Sequence, residues 1–350
     1  MRIVVNDIAA SHGGAMTILK EFYNCVRNSD TENEWIFLLG DNYLEETDNI
    51  KVITFPHVKN SKLKKMQFDF YKGKKVISDF QPDVVFSLQN IITFGLRVPQ
   101  ITYIHQAIPF QTAKKFSFLK GSERSTAVYQ YLIGAIIKRS VKKADKTIVQ
   151  TGWMKTAVCQ KCCVSDERVS VISPNLSDLS SLVQKSELDP TAFFYPTSSA
   201  IYKNNVCLTE ASRILSAEGY SFKATMTVPE DEKHENVYCI GKIPYEDVIR
   251  RYNSETLVFP SYIESFGYPL VEARAAGTVI LASDCPFSRE LLDGYENAYF
   301  FDPFSPRELA GLMKRVIEGD IVKKDVNTDS IKPHNNWIDV ISEIKSTAGR

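Results

Sequence analysis

Short apolar runs alternate with helix-length stretches along most of the chain, and this alternation limits the folds open to it. In the first half the apolar runs are rich in Val and Ile and are bounded by polar turns, as buried strands are. The predicted strands are residues 3–6, 35–39, 52–54, 84–87, 100–104 and 147–150, and the predicted helices are residues 15–27, 62–80, 122–143 and 153–161. Strands that alternate with helices of this length indicate a parallel sheet covered on both faces.

The same alternation repeats in the second half. The predicted strands there are residues 192–195, 222–227, 237–240, 256–259, 279–282 and 298–301, and the predicted helices are residues 204–217, 245–253, 269–276 and 306–318. A polar stretch, residues 173–181, separates the two series and is typical of a linker. We therefore predict two doubly wound α/β domains, residues 1–175 and 176–334. Ligands of such sheets bind beyond the carboxyl ends of the strands, so we expect a functional cleft where the two domains face each other.

Composition argues against several other classes of protein. No apolar run approaches the roughly 20 residues that cross a bilayer, and the first residues lack the hydrophobic region of a signal peptide, so we expect a cytoplasmic location. The seven cysteines form no disulfide framework, and Cys159, Cys162 and Cys163 lack a second Cys or His pair at ligand spacing. We interpret them as reduced structural thiols and expect no metal site.

A net charge of zero hides an uneven distribution. Residues 1–172 hold 24 Lys or Arg against 16 Asp or Glu, and residues 173–350 hold 18 against 26. The densest basic segment contains Lys59, Lys62, Lys64, Lys65, Lys72, Lys74 and Lys75, interrupted by Met66, Phe68, Phe70 and Tyr71. A basic amphipathic helix of this kind can lie on an anionic membrane, although a solvated helix face explains the pattern equally well. No motif that reads nucleic acid is present, so nucleic acid is not an expected partner.

The segment from Glu264 to Glu272, ESFGYPLVE, carries the strongest chemical pattern. A predicted strand ends just before it, and Pro269 is a residue favoured in the first turn of a helix. The loop Ser265-Phe266-Gly267 would present backbone N–H groups at that helix N-terminus, which suits a diphosphate. Glu272, about one turn inside, could accept hydrogen bonds from ribose hydroxyls. Two carboxylates alone would be explained better by a solvated Glu264 and a Glu272 that the helix dipole favours.

The whole string resembles the donor-site motif of family-four retaining glycosyltransferases of the GT-B fold. The resemblance extends to the flanking residues 259–261, 278–283, 290–292 and 301–303. It implies two Rossmann-like domains, a nucleoside diphosphate sugar as donor, such as a UDP- or GDP-sugar, and no metal or other cofactor. It also implies that a final helix within residues 335–350 packs back onto the first domain. Glu264 would hold the sugar hydroxyls and Glu272 the ribose.

Three further positions gain roles from the same resemblance. A lysine at the place of Lys203 grips the donor diphosphate in this family, and the helix N-terminus next to it is a sensible phosphate site. The family commonly has an arginine a few residues earlier, where this chain has Thr197, Ser198 and Ser199, so we expect hydroxyls such as that of Ser199 to share the task. His105, at the end of a predicted strand, resembles the histidine that positions the donor sugar.

The first strand–helix turn contains Gly13 and Gly14. It does not match the dinucleotide-binding pattern G-x-G-x-x-G. It resembles instead the glycine pair that lets acceptor and donor phosphate approach this turn in the family, although most glycine pairs are simply turns.

Together these features predict an enzyme that transfers a hexosyl unit to a hydroxyl of a glycan or polyprenyl-linked acceptor in the synthesis of surface polysaccharide. We expect Glu264, His105 and Lys203 to be catalytic. Two alternatives remain open: a sugar-nucleotide epimerase or hydrolase of the same fold, and a non-catalytic, membrane-associated protein that binds sugar nucleotides.

Overall fold

The computed structural model describes residues 1–10, 14–59, 61–176, 183–184, 186–229, 236–326 and 336–349. The chain divides into two compact units. The first consists of Met1–Asn175 and His334–Arg350, and the second consists of Leu176–Pro333.

The first unit is built on a parallel sheet that has seven strands within the described residues, in the order β3-β2-β1-β4-β5-β6-β7. The strands are β1 (Arg2–Asp7), β2 (Glu34–Leu39), β3 (Ile50–Thr54), β4 (Val84–Ser87), β5 (Gln100–Ile104), β6 (Lys146–Val149) and β7 (Val169–Val171). The helices are α1 (Gly14–Ser29), α2 (Pro56–Lys59), α3 (Lys62–Gln67), α4 (Gly73–Ser78), α5 (Arg124–Val128), α6 (Gly134–Lys143) and α7 (Gly152–Cys162). The central strand β1 is buried almost throughout, and its apolar centre is Ile3, Val4 and Val5.

The second unit repeats this plan with a parallel sheet of six strands in its described part, ordered β10-β9-β8-β11-β12-β13. The strands are β8 (Ala192–Tyr195), β9 (Lys223–Met226), β10 (Val237–Cys239), β11 (Thr256–Phe259), β12 (Ile280–Ser283) and β13 (Ala298–Phe301). The helices are α8 (Asn205–Ala217), α9 (Tyr245–Tyr252), α10 (Tyr268–Ala275), α11 (Pro286–Leu291) and α12 (Pro306–Ile317). In each sheet the strand order reverses beside the first strand of the unit, as it does in Rossmann-like folds.

The last helix, α13 (Trp337–Ala348), belongs to the first unit. The Trp337 ring is 1% exposed, and its centroid lies 5.4 Å from that of Phe22 and 5.5 Å from that of Tyr103. The indole N–H donates a hydrogen bond of 3.2 Å to the Glu21 carboxylate. This helix therefore completes the core between α1 and the central strands, although it comes from the far end of the chain.

The predicted fold class is confirmed, and the predicted strands 84–87, 100–104, 192–195, 256–259 and 298–301 agree residue for residue with the structure. The short elements β7, α2 and α11 were not predicted. No helix among the described residues is long and apolar enough to span a membrane.

The predicted helices 62–80 and 122–143 are each interrupted by one wider turn. These π-helical turns are Phe68–Lys72 and Tyr129–Ile133. Each ends at a glycine whose N–H donates to a carbonyl five residues back, Gly73 to Phe68 and Gly134 to Tyr129. A Cβ at Gly73 would stand 2.7 Å from the Phe68 carbonyl oxygen, so the glycine is required for this turn to close.

Replacing Trp337 with alanine should destabilise the first unit by about 3–5 kcal/mol, because it removes a large buried ring and leaves a cavity. Ile338→Ala is the control, since that side chain is 51% exposed on the same helix and should cost less than about 0.5 kcal/mol. The three tryptophans all belong to the first unit, so the fluorescence of Trp35 and Trp153 during urea unfolding reports on it alone. Equal midpoints for the two variants would contradict this account of α13.

Candidate donor-binding site

The two residues with the sharpest sequence prediction, Lys203 and Glu264, lie where the second sheet reverses its order. Strands β8 and β11 are direct neighbours although two other strands separate them in the sequence. Lys203 ends the 3-10 turn that follows β8, and Glu264 lies in the loop after β11. The Lys203 Nζ is 2.6 Å from Glu264 Oε1, so the structure brings the two predicted side chains into direct contact. The carboxyl ends of strands at such a reversal form the crevice where doubly wound sheets bind ligands.

Buried hydrogen bonds fix the backbone that carries Lys203. The Tyr195 hydroxyl, fully buried in β8, donates to the Lys203 carbonyl over 2.8 Å. The next residue, Asn204, has a left-handed φ of 60°. Its amide donates to the carbonyls of Pro260 and Pro303 over 3.2 and 2.6 Å. One asparagine side chain thus ties the lysine turn to the end of β11 and to the loop after β13.

The ion pair is largely withdrawn from solvent, with the Lys203 side chain 20% exposed and that of Glu264 14% exposed. Burial by itself lowers the pKa of Lys203, but the charge of Glu264 and its hydrogen bond outweigh this effect, and the pKa is raised. The lysine is therefore a firmly charged ammonium. The Ser261 hydroxyl donates to the same Glu264 oxygen over 2.7 Å, so two donors converge on Oε1.

Gly267 is the N-cap of α10 and has a backbone conformation that residues with a side chain avoid. Its φ is 110°, so any other residue would be strained there even though a Cβ would meet nothing closer than 3.5 Å. Pro269 stands in the first turn of the helix, as predicted. Phe266 is buried and Ser265 half-buried. The glycine thus turns the chain sharply from the loop that carries Glu264 into the start of the helix.

Glu272 differs from Glu264 in both burial and partners. It lies on α10 and is 8% exposed. The Tyr245 hydroxyl donates to its Oε1 over 2.9 Å. Burial raises the pKa of Glu272 to about 7, and the nearby hydroxyls of Tyr245 and Tyr252 lower it in part. Glu272 therefore has neutral donors beside it, whereas Glu264 has a cation.

The residues that stand where an arginine was expected supply no charge. Thr197 is committed to the protein, since its hydroxyl donates to Asn205 over 2.9 Å and its N–H donates to the Thr227 hydroxyl over 2.7 Å. Ser198 and Ser199 are exposed. The predicted share of Ser199 in phosphate binding stays a prediction, and Lys203 is the cation in contact with Glu264.

His105, in the first unit, follows β5 and is bound by Asn90, which follows the neighbouring strand β4. The backbone N–H of His105 donates to the Asn90 side-chain oxygen over 2.9 Å, and the Asn90 amide nitrogen lies 3.0 Å from His105 Nε2. Burial lowers the pKa of His105 to about 4, so the ring is neutral. Because Nε2 accepts from the amide, the ring proton resides on Nδ1, which has no partner among the described residues.

The glycine pair after β1 lies only partly within the described residues. Gly13 lies outside them, and Gly14 is the first residue of α1. A Cβ at Gly14 would meet no heavy atom within 4 Å, so the space there does not by itself require glycine.

Two buried carboxyl groups, near the carboxyl ends of β1 and β4, were not predicted. Asp7, at the end of β1, is 3% exposed, and burial raises its pKa to about 7. Asp69 accepts hydrogen bonds from Lys65 and Gln89 over 2.9 and 3.0 Å. A charged residue that ends an otherwise apolar strand was the available signal for Asp7. Within the described ranges, no cluster of three or more His, Cys, Asp or Glu side chains could hold a metal ion.

Tyr245 and Tyr252 were also missed. They lie seven residues apart on α9, which is close to two helical turns, so both face the same side. Their spacing within a predicted helix was the signal, but nothing in the sequence shows that Glu272 lies against that side.

Glu272→Gln should gain stability relative to the wild type as the pH rises from about 5 to about 8. The pKa of Glu272 is raised in the folded state, so its favourable contribution is complete below the unfolded-state pKa and is lost as the pH approaches 7. The relative gain should be on the order of 2 kcal/mol, measured by urea unfolding followed by far-UV circular dichroism. Glu246→Gln, at a side chain 67% exposed, is the control. If the unfolding free energies of Glu272→Gln and the wild type differ by the same amount at pH 5 and at pH 8, the raised pKa of Glu272 is refuted.

Comparison with known proteins shows which families the sequence of this chain matches. Residues 228–332 match the family described as glycosyl transferases group 1, and residues 12–175 match glycosyltransferase family 4. The O-antigen chain mannosyltransferase RfbU of Salmonella typhimurium is 23% identical over 215 residues, which are 58% of this chain and 57% of that protein. The chain therefore spans a little over half the length of this curated relative.

Solved structures show the same fold over the whole length. The lipopolysaccharide outer core galactosyltransferase WaaB superposes with a TM-score of 0.68 at 17% identity, covering 99% of both chains. HepE from Anabaena, solved in complex with UDP-glucose, gives a TM-score of 0.67 at 16% identity and covers 100% of this chain and 99% of its own. The resemblance seen in the sequence is confirmed, and the chain belongs to the group 1 glycosyltransferases of the GT-B fold.

Proposed function

We propose that this protein transfers a hexosyl unit from a UDP- or GDP-sugar to a hydroxyl of a glycan or lipid-linked glycan, with retention at the anomeric carbon. The observation that carries the proposal is the contact of Lys203 with Glu264 at the reversal of the second sheet. Two relatives support the donor and acceptor classes: HepE binds UDP-glucose, and RfbU is named for the O-antigen chain. On this basis the product would be a surface polysaccharide.

The charge of Lys203 fits the departing diphosphate. Bond breaking at the anomeric carbon leaves negative charge on the diphosphate, and a fixed ammonium beside a helix N-terminus stabilises that charge more in the transition state than before it. Gly267 permits the chain to turn into α10 at this place. In this proposal the reaction needs no metal ion, because Lys203 and the backbone N–H groups supply the positive potential.

The two glutamates divide the remaining contacts. Glu264 already accepts two hydrogen bonds through Oε1, and sugar hydroxyls would bind to this carboxylate. Glu272 would accept hydrogen bonds from the ribose. His105, Gly13 and Gly14 keep the roles that the family resemblance implies for them.

Thermal-shift measurements with UDP-glucose, UDP-galactose and GDP-mannose test donor binding. A donor at about a hundred times its Kd should raise the melting temperature by roughly 5–10 °C. Lys203→Ala should abolish the shift, and Glu264→Gln should preserve most of it while lowering kcat about a hundredfold or more. Lys223→Ala is the control, because Lys223 is exposed at the opposite, amino end of β9.

Product analysis then separates the enzyme classes. Transfer to acceptor with the donor's anomeric configuration, read by NMR, is the expected result. Conversion of the nucleotide sugar without acceptor would identify an epimerase or hydrolase, and donor binding without turnover would identify a non-catalytic protein. Full activity of both Lys203→Ala and Glu264→Gln would refute the proposed site.

We also propose that the first unit contacts an anionic membrane surface. The predicted basic helix 62–80 is divided by a π turn, and Phe68 on it is only 3% exposed, so part of its apolar face belongs to the core. Leu63 and Tyr71 remain 75% and 77% exposed. The apolar surface of this segment is therefore smaller than its sequence indicates.

A second segment, residues 118–132, exposes apolar side chains next to basic ones in the sequence. Leu119 is 92% exposed, and Phe118, Tyr131 and Leu132 are 44%, 40% and 59% exposed. The Phe118 and Tyr131 rings pack 5.5 Å apart, and Arg124 donates a hydrogen bond to the Phe118 carbonyl over 3.1 Å. These contacts hold Phe118 beside Tyr131, and each of the two rings is next in sequence to an exposed leucine. Basic side chains surround them in the sequence: Lys114, Lys115, Lys120 and Arg124.

The wild-type protein should sediment with vesicles of phosphatidylcholine and phosphatidylglycerol at 3:1 and bind much more weakly to phosphatidylcholine alone. Leu119→Ser should weaken binding by about ten- to a hundredfold, because an inserted leucine contributes about 1.5–3 kcal/mol. Lys115→Glu should weaken it through charge. Val206→Ser, at a 70% exposed site in the second unit, is the matched control. No sedimentation of the wild type, or equal binding by all variants, would contradict the proposal.

A further inference from the structure

Two tyrosines of α9 act on the carboxylate that the proposed function gives to the ribose. Tyr245 and Tyr252 lie two turns apart on one side of the helix. The Tyr245 hydroxyl donates to Glu272 Oε1 over 2.9 Å. Tyr252 is fully buried, and its hydroxyl lies close enough to Glu272 to lower the pKa of that carboxyl group. Neither residue has a place in the donor motif.

The chemistry of ribose binding requires a particular state of Glu272. The two hydroxyls of a ribose donate hydrogen bonds, so the group that receives them must offer lone pairs. An ionised carboxylate accepts at both oxygens, whereas a protonated carboxyl group spends one oxygen as a donor. Glu272 is only 8% exposed, and burial disfavours the ionised state.

The surroundings of Glu272 leave few groups that could favour its charge. Helix α10 packs against α9, α11 and β12. Strand β12 is wholly buried and has no titratable side chain near this carboxyl group. On α11, Arg289 is bound to Asp284, and Glu290 carries the same sign of charge as Glu272. On α10 itself, Arg274 donates to the Leu291 carbonyl. The groups that stabilise the ionised form of Glu272 are therefore the hydroxyls of Tyr245 and Tyr252.

We infer that Tyr245 is a positioning residue for donor binding: its hydroxyl holds Glu272 Oε1, orients the carboxylate for the two ribose hydroxyls and favours its ionised form. This inference rests on the proposed function, because it assumes that Glu272 meets ribose. The bond uses one lone pair of Oε1, and the other lone pairs of the carboxylate can accept from the two ribose hydroxyls. Tyr252, from the other turn of α9, supports the same carboxylate.

The test is the affinity of UDP, GDP and their 2′-deoxy forms for the wild type and for Tyr245→Phe, measured calorimetrically from pH 6 to pH 9. The ratio of deoxy to ribo Kd isolates the ribose contact, because titration of the phosphates affects both ligands alike. In the wild type this ratio should rise with pH through about 7, the pKa of Glu272. In Tyr245→Phe the rise should occur at higher pH, and the ratio at pH 6.5–7 should fall several-fold.

Tyr238→Phe is the matched control, since Tyr238 is half-exposed on β10 in the same unit and its ring faces Lys223. It should behave as the wild type. If Tyr245 merely ties α9 to α10, Tyr245→Phe will lower the melting temperature without changing the deoxy-to-ribo ratio or its pH dependence, and the inference is overturned. A wild type that binds the diphosphates with no preference for ribose also overturns it and leaves the phosphate site intact. A wild type that binds none of the four ligands overturns the proposed function as well.

Discussion

The ion pair between Lys203 and Glu264 is the interaction on which the candidate site depends. Both side chains are largely buried, and a buried charge without its partner costs several kcal/mol, so each residue requires the other. A buried pair contributes little net stability compared with apolar residues of similar size. Its supports are nevertheless extensive: Asn204 ties the lysine turn to two loops, and Ser261 adds a donor to Glu264. Hydrogen bonds that fix an ion pair of little net stability favour a role in ligand binding over a role in stability.

Most of the fold and the centre of this site could be predicted from the sequence because both depend on local patterns. Buried parallel strands are rich in apolar residues, and four of the five strands predicted residue for residue, all except Ala298–Phe301, are largely buried. Lys203 and Glu264 lie 61 positions apart, yet each follows a strand beside the reversal of a doubly wound sheet. That rule alone places their loops next to each other.

The other features depend on contacts between distant elements, which no local pattern encodes. The two π turns close on Gly73 and Gly134, and a glycine inside a helical pattern does not reveal a widened turn. Asn90 binds both the backbone and the ring of His105 from a neighbouring strand end. The role inferred for Tyr245 depends on the packing of α9 on α10, which brings its hydroxyl to Glu272. The raised pKa values of Asp7 and Glu272 likewise follow from burial, and the sequence does not show how deeply an individual carboxyl group is buried.

The two glutamates of the donor motif differ in the charge of their partners, and this difference bears on how each could bind part of a donor. Glu264 is balanced by a cation, whereas Glu272 is balanced by neutral hydroxyls. If a diphosphate takes Lys203, Glu264 keeps only the Ser261 hydroxyl, and a buried carboxylate with so little compensation is costly. Sugar hydroxyls would restore the missing hydrogen bonds. In the proposed function, a complete nucleotide sugar would therefore offer Glu264 more hydrogen-bond donors than a bare diphosphate.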